Sequence, residues 1–139
     1  TDEGEDVSRA ALKGKPYVLY FYPKDDTAGC TREAVDFSAA AAKFAKLGIA
    51  VIGVSKDSVA SHEKFRKKHK LKITLASDPD IKTAQDWGVW VEKSLYGRKY
   101  MGMERASFLV DAKGVIAQAW HKVKVPGHVE AVLAAARAL

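Results

Sequence analysis

The sequence predicts an α/β fold, a central mixed β-sheet flanked by helices, and three observations carry that prediction. Two short runs, Pro16 to Tyr22 (PYVLYFY) and Ile49 to Val54 (IAVIGV), are continuously apolar and rich in strand formers. Such runs suit strands covered on both faces. Stretches of helical periodicity alternate with them. The chain then closes on a strand, a turn, a strand and a helix.

Taken in order, residues 1–15 are polar, with the acidic cluster Asp2, Glu3, Glu5 and Asp6. They read as a frayed lead-in or the remains of a hairpin. After the first strand, Pro23 to Gly29 (PKDDTAG) is a loop. A helix is expected from about Thr31 to Leu47, with Gly48 in the C′ position. Its apolar residues Ala34, Phe37, Ala41, Phe44 and Leu47 step by three or four and form one stripe. Ile49 to Val54 is the second strand. Ser58 to His69 is a helix with Ser58 as its N-cap. Ile73 to Ala76 is a short strand, and Asp78-Pro79 opens a helix ending near Gly88. Val89 to Glu104 reads as a long basic and aromatic loop. Ala106 to Val110, the turn 111–114 and Val115 to His121 form a hairpin. Pro126 and Gly127 introduce a last helix, Val129 to Leu139. Alternating strands and helices give parallel strands, and the closing hairpin adds antiparallel ones. The order is that of a thioredoxin-like arrangement, expected as a single domain over residues 1–139.

Composition narrows the function classes. Of 139 residues, 47% are apolar and 29% charged, ordinary for a globular domain. No apolar run approaches a membrane span, and no charged-then-apolar leader is present. The single cysteine, Cys30, excludes an intramolecular disulfide and any multi-cysteine metal site. It fits a reducing compartment, so a cytoplasmic location is expected. The four histidines show no i, i+4 pair and no HExxH pattern, so no metal is expected. Nearly all of the +6 net charge comes from Lys64, Arg66, Lys67, Lys68, Lys70 and Lys72. That is one helix face, and such runs are usually solvated. The run lacks aromatic interleaving apart from Phe65, which argues against a nucleic-acid partner.

Cys30 sits where the loop after the first strand becomes the first helix, beyond the carboxyl end of a strand. Unpaired N–H groups and the positive end of the helix dipole favour thiolate over thiol there. A lone cysteine is also often a small buried hydrophobe. Position alone leaves both readings open. Thr27, three residues earlier, offers a hydroxyl for a substrate oxygen or a simple turn. Pro23 ends the strand, fixes the entry to the loop and shields the pocket. Glu33 could cap the helix start or orient an arginine. His62, Phe65 and His69 share a helix face and read as packing at the edge of the core. Trp87, Trp90 and Trp120 read as core or loop-anchoring aromatics.

Tyr22 to Phe37 contains Pro23-x-x-x-Thr27-x-x-Cys30, a pattern that resembles the peroxiredoxins. The longer string FYPKDDTAGCTREAVDF is similar to the peroxiredoxin Q, or bacterioferritin comigratory protein, subfamily. So are residues 89–116 (VWVEKSLYGRKYMGMERASFLVDAKGVI), residues 120–139 (WHKVKVPGHVEAVLAAARAL) and the segment SHEKFRKKHKL. The resemblance covers nearly the whole chain from Lys13. It implies reduction of hydrogen peroxide and organic hydroperoxides, without a cofactor. Cys30 matches the peroxidatic cysteine, Thr27 the peroxide-binding hydroxyl, Pro23 the shield and Arg105 the active-site arginine. A guanidinium suits that role, because attack on an O–O bond places negative charge on the departing oxygen. Three departures matter. Val35 and Arg66 stand at the two positions where a second, resolving cysteine is found, and Ala28 replaces a usual proline. The resemblance then implies a one-cysteine enzyme, expected as a monomer, recycled by an external thiol such as thioredoxin, glutaredoxin or glutathione. The competing reading is a redox-sensing or binding module without efficient turnover.

Overall fold

A computed structural model describes residues 14–139, so the acidic lead-in lies outside the described residues. The first strand, β1 (Tyr17–Phe21), is buried along its whole length. It is followed by α1 (Ala28–Lys46), β2 (Ala50–Ser55), α2 (Val59–His69), β3 (Thr74–Ser77) and the short α3 (Lys82–Asp86). Then come β4 (Trp90–Leu95), β5 (Arg98–Met103), β6 (Ala106–Val110), β7 (Ile116–Trp120) and α4 (His128–Arg137). Five strands form one mixed sheet in the order β3-β2-β1-β6-β7. The β1–β2 and β2–β3 pairs are parallel, and β1–β6 and β6–β7 are antiparallel. The fold class is the expected one.

Strict alternation along β1 explains its continuous apolar run. Val18, Tyr20 and Tyr22 point to a core shared with Phe37 and Phe44 of α1, Phe65 of α2 and Val132 of α4. Tyr17, Leu19 and Phe21 point the other way, to a core with Ala84, Val89, Met103 and Phe108. A strand with an apolar layer on each face has no position for a polar residue.

The local signals at the element ends are satisfied. Ser58 accepts the N–H of Ser61 at 3.1 Å, as an N-cap does. Gly48 takes φ +73° just after α1, a conformation that glycine adopts without cost. Two expectations are corrected. Leu47 is the C-cap of α1 and is exposed rather than part of its stripe. The stripe instead continues through Cys30, Glu33, Ala34, Phe37, Ala40 and Phe44. The second correction is larger. Residues 90–103 are a two-stranded hairpin, β4 with β5, and not a loop. Tyr96 and Gly97 form its tip, both with positive φ (51° and 78°), the requirement of a tight two-residue turn with the twist of the strands. Tyrosine is a poor residue for that position, which hid the turn.

Gly53 of β2 lies beside Tyr20 of β1. A Cβ there would stand 2.7 Å from the Tyr20 ring, and that ring is stacked on Phe37 at 4.6 Å and cannot swing away. Gly53→Ala is therefore expected to destabilise the protein by about 1–3 kcal/mol through overpacking, measured by urea unfolding. Combining it with Tyr20→Leu should give less than the sum of the two losses. Full additivity would remove the clash as the cause.

Candidate active site

The site is assembled where β1 ends. Because β6 runs antiparallel beside β1 with Ala106 opposite Phe21, the residue before β6, Arg105, arrives at the carboxyl end of β1. The loop 23–27 leaves that same end and leads into α1. Cys30 is the third residue of α1. The first helical bond runs from the N–H of Thr31 to the carbonyl of Thr27 at 2.8 Å, so the N–H groups of residues 28–30 have no acceptor inside the helix. Thr27 occupies the N-cap without a side-chain cap. Its hydroxyl donates instead to the Lys24 carbonyl at 3.0 Å.

Arg105 joins the other two groups. Its Nη2 donates to Cys30 Sγ at 3.2 Å, and its Nη1 to Glu33 Oε1 at 2.8 Å. Glu33 is one helical turn beyond Cys30 on the same face, so a single guanidinium spans both. Of the two roles open to Glu33, the structure places it on the arginine. Gly29 makes room for the contact: a Cβ there would sit 3.2 Å from Arg105 Nη2. Cys30 itself is buried, with 1% exposure. Pro23 is half-buried at the start of the loop and Thr27 is exposed.

The electrostatics follow from burial. Burial raises the Glu33 carboxyl to about 7 against the pull of the Arg105 charge and hydrogen bond, with Asp36 adding to the rise. Its second oxygen, Oε2, is buried with no hydrogen-bond partner, which is the desolvation that drives the shift. Burial works against the charge of Arg105, but Glu33 and Cys30 outweigh it and raise the guanidinium above its usual value. The arginine therefore stays charged.

Sequence reasoning missed several neighbours. Lys93 of β4 feels the site: burial and the Arg105 charge lower it, while Cys30 and Glu104 oppose that. His128 pairs with Ser107 at 2.7 Å, and burial followed by the Arg105 charge pushes it down to about 4. His62 is not core-edge packing. It is fully buried and bonded to Asp25 Oδ2 at 2.8 Å. His69 is bonded to Asp26 Oδ1 at 3.0 Å. The seven-residue spacing of the two histidines, two helical turns, was the available signal.

The sequence profile of the AhpC/TSA family matches residues 1–119, and the chain belongs to that family. It is 51% identical over 133 residues to a putative peroxiredoxin Bcp of Coxiella burnetii, covering 96% of this chain and 88% of that one. It is 48% identical over 132 residues to peroxiredoxin Bcp of Bacillus subtilis, covering 95% and 84%. The solved structure of Xanthomonas campestris bacterioferritin comigratory protein, determined for its alkyl peroxide reduction activity, superposes with a TM-score of 0.94 at 44% identity, covering 99% and 87%. These similarities give the enzyme class: a peroxiredoxin with a thioredoxin-like fold, a thiol peroxidase carrying a single cysteine. Among the described residues no helix is long and apolar enough to cross a membrane.

The position of Glu33 has a measurable pH signature. A carboxyl raised from 4.5 to about 7 on folding contributes stability that is present below the lower value and lost as pH rises through the upper one. The stability of wild type relative to Glu33→Gln should thus fall between those limits, by on the order of 3 kcal/mol. Urea unfolding of both proteins across that range measures it. A flat difference would mean that Arg105 keeps Glu33 ionised throughout.

Proposed function

We propose that the enzyme reduces hydrogen peroxide and organic hydroperoxides at Cys30 and is recycled by an external thiol. The observation that carries the reading is the Arg105 guanidinium 3.2 Å from Cys30 Sγ at the opening turn of α1. The Cys30 thiolate attacks the outer oxygen of the hydroperoxide. The S–O bond forms as the O–O bond breaks, giving a sulfenic acid and an alkoxide or hydroxide that takes up a proton. Arg105 and the N–H groups opening α1 face the charge that develops. The Thr27 oxygen, its O–H donated to the Lys24 carbonyl, accepts from the hydroperoxide O–H. Pro23 closes the wall of the pocket and Glu33 orients Arg105.

Recycling follows from the absence of a second cysteine. A thiol such as glutathione, glutaredoxin or thioredoxin condenses with the sulfenic acid, releasing water and forming a mixed disulfide. A second thiol then exchanges to free Cys30. Because Cys30 is buried, the opening turn of α1 must loosen before a thiol reaches the sulfur. The chemistry needs one domain and one copy of the chain.

Cys30→Ser should consume no peroxide. Arg105→Ala should slow oxidation of Cys30 by about 2–4 kcal/mol of barrier, roughly 30- to 1000-fold, read by stopped-flow fluorescence. A wild-type rate in that variant would remove Arg105 from the site. Intact mass after one equivalent of peroxide should show one added oxygen on the monomer, converted by glutathione to a glutathione adduct. A Cys30–Cys30 dimer that thiols recycle would instead place resolution between subunits.

A further inference from the structure

The loop carrying Pro23 and Thr27 is held from the side by α2, through contacts that the reaction itself does not use. Asp25, in the middle of the loop, is almost wholly buried. Its Oδ1 accepts from the Tyr22 hydroxyl at 2.5 Å. Its Oδ2 accepts from Ser61 Oγ at 2.8 Å and lies 2.8 Å from His62 Nδ1. Its N–H donates to Asp57 Oδ2 at 2.8 Å. The next residue, Asp26, has left-handed backbone (φ 59°) and pairs with Lys68 and His69 at the far end of α2. Two adjacent aspartates in the loop thus meet two histidines seven residues apart on one helix face.

The partners of His62 fix its protons. Nε2 lies 3.0 Å from the Ala76 carbonyl of β3, which can only accept, so Nε2 carries hydrogen. Nδ1 faces Asp25 Oδ2. The Tyr22 hydroxyl, 3.3 Å from Nδ1, spends its proton on Asp25, and burial, reinforced by Tyr20 and Asp25, holds that hydroxyl far above its usual value. Burial pushes the Asp25 carboxyl up, but the hydrogen bonds from His62, Tyr22 and Ser61 outweigh it and keep the group below the usual carboxylate range. Nδ1 and Oδ2, 2.8 Å apart, therefore share a proton. The polar groups at the ring are Asp25 from the loop, the Tyr22 hydroxyl beside β1 and the Ala76 carbonyl of β3, with Ser61 of α2 bonded to the same Asp25 oxygen.

We propose that the buried hydrogen bond between His62 and Asp25 positions the peroxide-binding loop for reaction at Cys30. This rests on Cys30 being the peroxide-reducing group. His62 is a positioning residue: it touches neither sulfur nor substrate, and it acts by fixing the backbone from which Pro23 and Thr27 approach.

The test combines spectroscopy and kinetics. In protein labelled with 15N-histidine, His62 is assigned in the wild type through its ring contact with Tyr22. Its Nδ1 resonance should carry the signature of a hydrogen bond to a carboxylate, and Asp25→Asn should remove that signature. In Asp25→Asn and His62→Gln, oxidation of Cys30 by hydrogen peroxide should slow by up to about 100-fold, the cost of a small misplacement. Alkylation of Cys30 by iodoacetamide, which needs the sulfur but not the Thr27 hydroxyl, should not slow below the wild-type rate. An Nδ1 without that hydrogen bond in wild type overturns the proposal even if neither variant folds. So do unchanged peroxide rates, or peroxide and alkylation rates that fall together. Failure of the wild type itself to consume peroxide would instead sink the reading of Cys30.

Discussion

A half-buried guanidinium shared between a carboxylate and a sulfur is the contact around which this site is organised. Arg105 reaches Glu33 at 2.8 Å and Cys30 at 3.2 Å, and it can do so only because β6 lies antiparallel beside β1. That pairing brings a residue 75 positions away in sequence to the point where β1 gives way to the loop and α1. Had β6 paired elsewhere, Cys30 would still open a helix, but without a cation beside it. The fixed charge also reaches Lys93 and His128, where it adds to the lowering that burial causes.

Placing those charges in the interior has a structural cost. Glu33 is fully buried and leaves one oxygen without a partner. A carboxylate in that position weakens the folded state as pH rises. The two cores compensate. One layer packs Tyr20, Tyr22 and Phe37 under α1, and the other packs Phe21, Trp87 and Phe108 on the opposite face of the sheet. A strand buried on both faces anchors the start of the loop, so the site stands at the end of an element packed from both sides.

The loop is also anchored at its side. α2 is basic, and part of its charge is met by Asp26 and Glu63. The cationic face therefore has a role inside the molecule as well as toward solvent. The hairpin β4–β5 covers the second core through Trp90 and Met103, which is the place of a segment whose length and basic residues suggested an open loop.

The sequence by itself determined the elements of the main sheet, the helix start at Cys30 and the lack of any second thiol. These are local properties, set by side-chain period, turn residues and composition within a dozen positions. The Cys30 motif and the arginine before β6 were legible from the family resemblance, and Glu33 only as one of two alternatives. Tertiary structure alone decided that Glu33 is buried against Arg105, that Asp25 and Asp26 are held by His62 and His69, and that residues 90–103 pair as strands. Each of the first two contacts joins residues more than 35 positions apart, where local periodicity carries no information. The hairpin escaped for a different reason: its turn uses Tyr96 where asparagine or glycine would have announced positive φ.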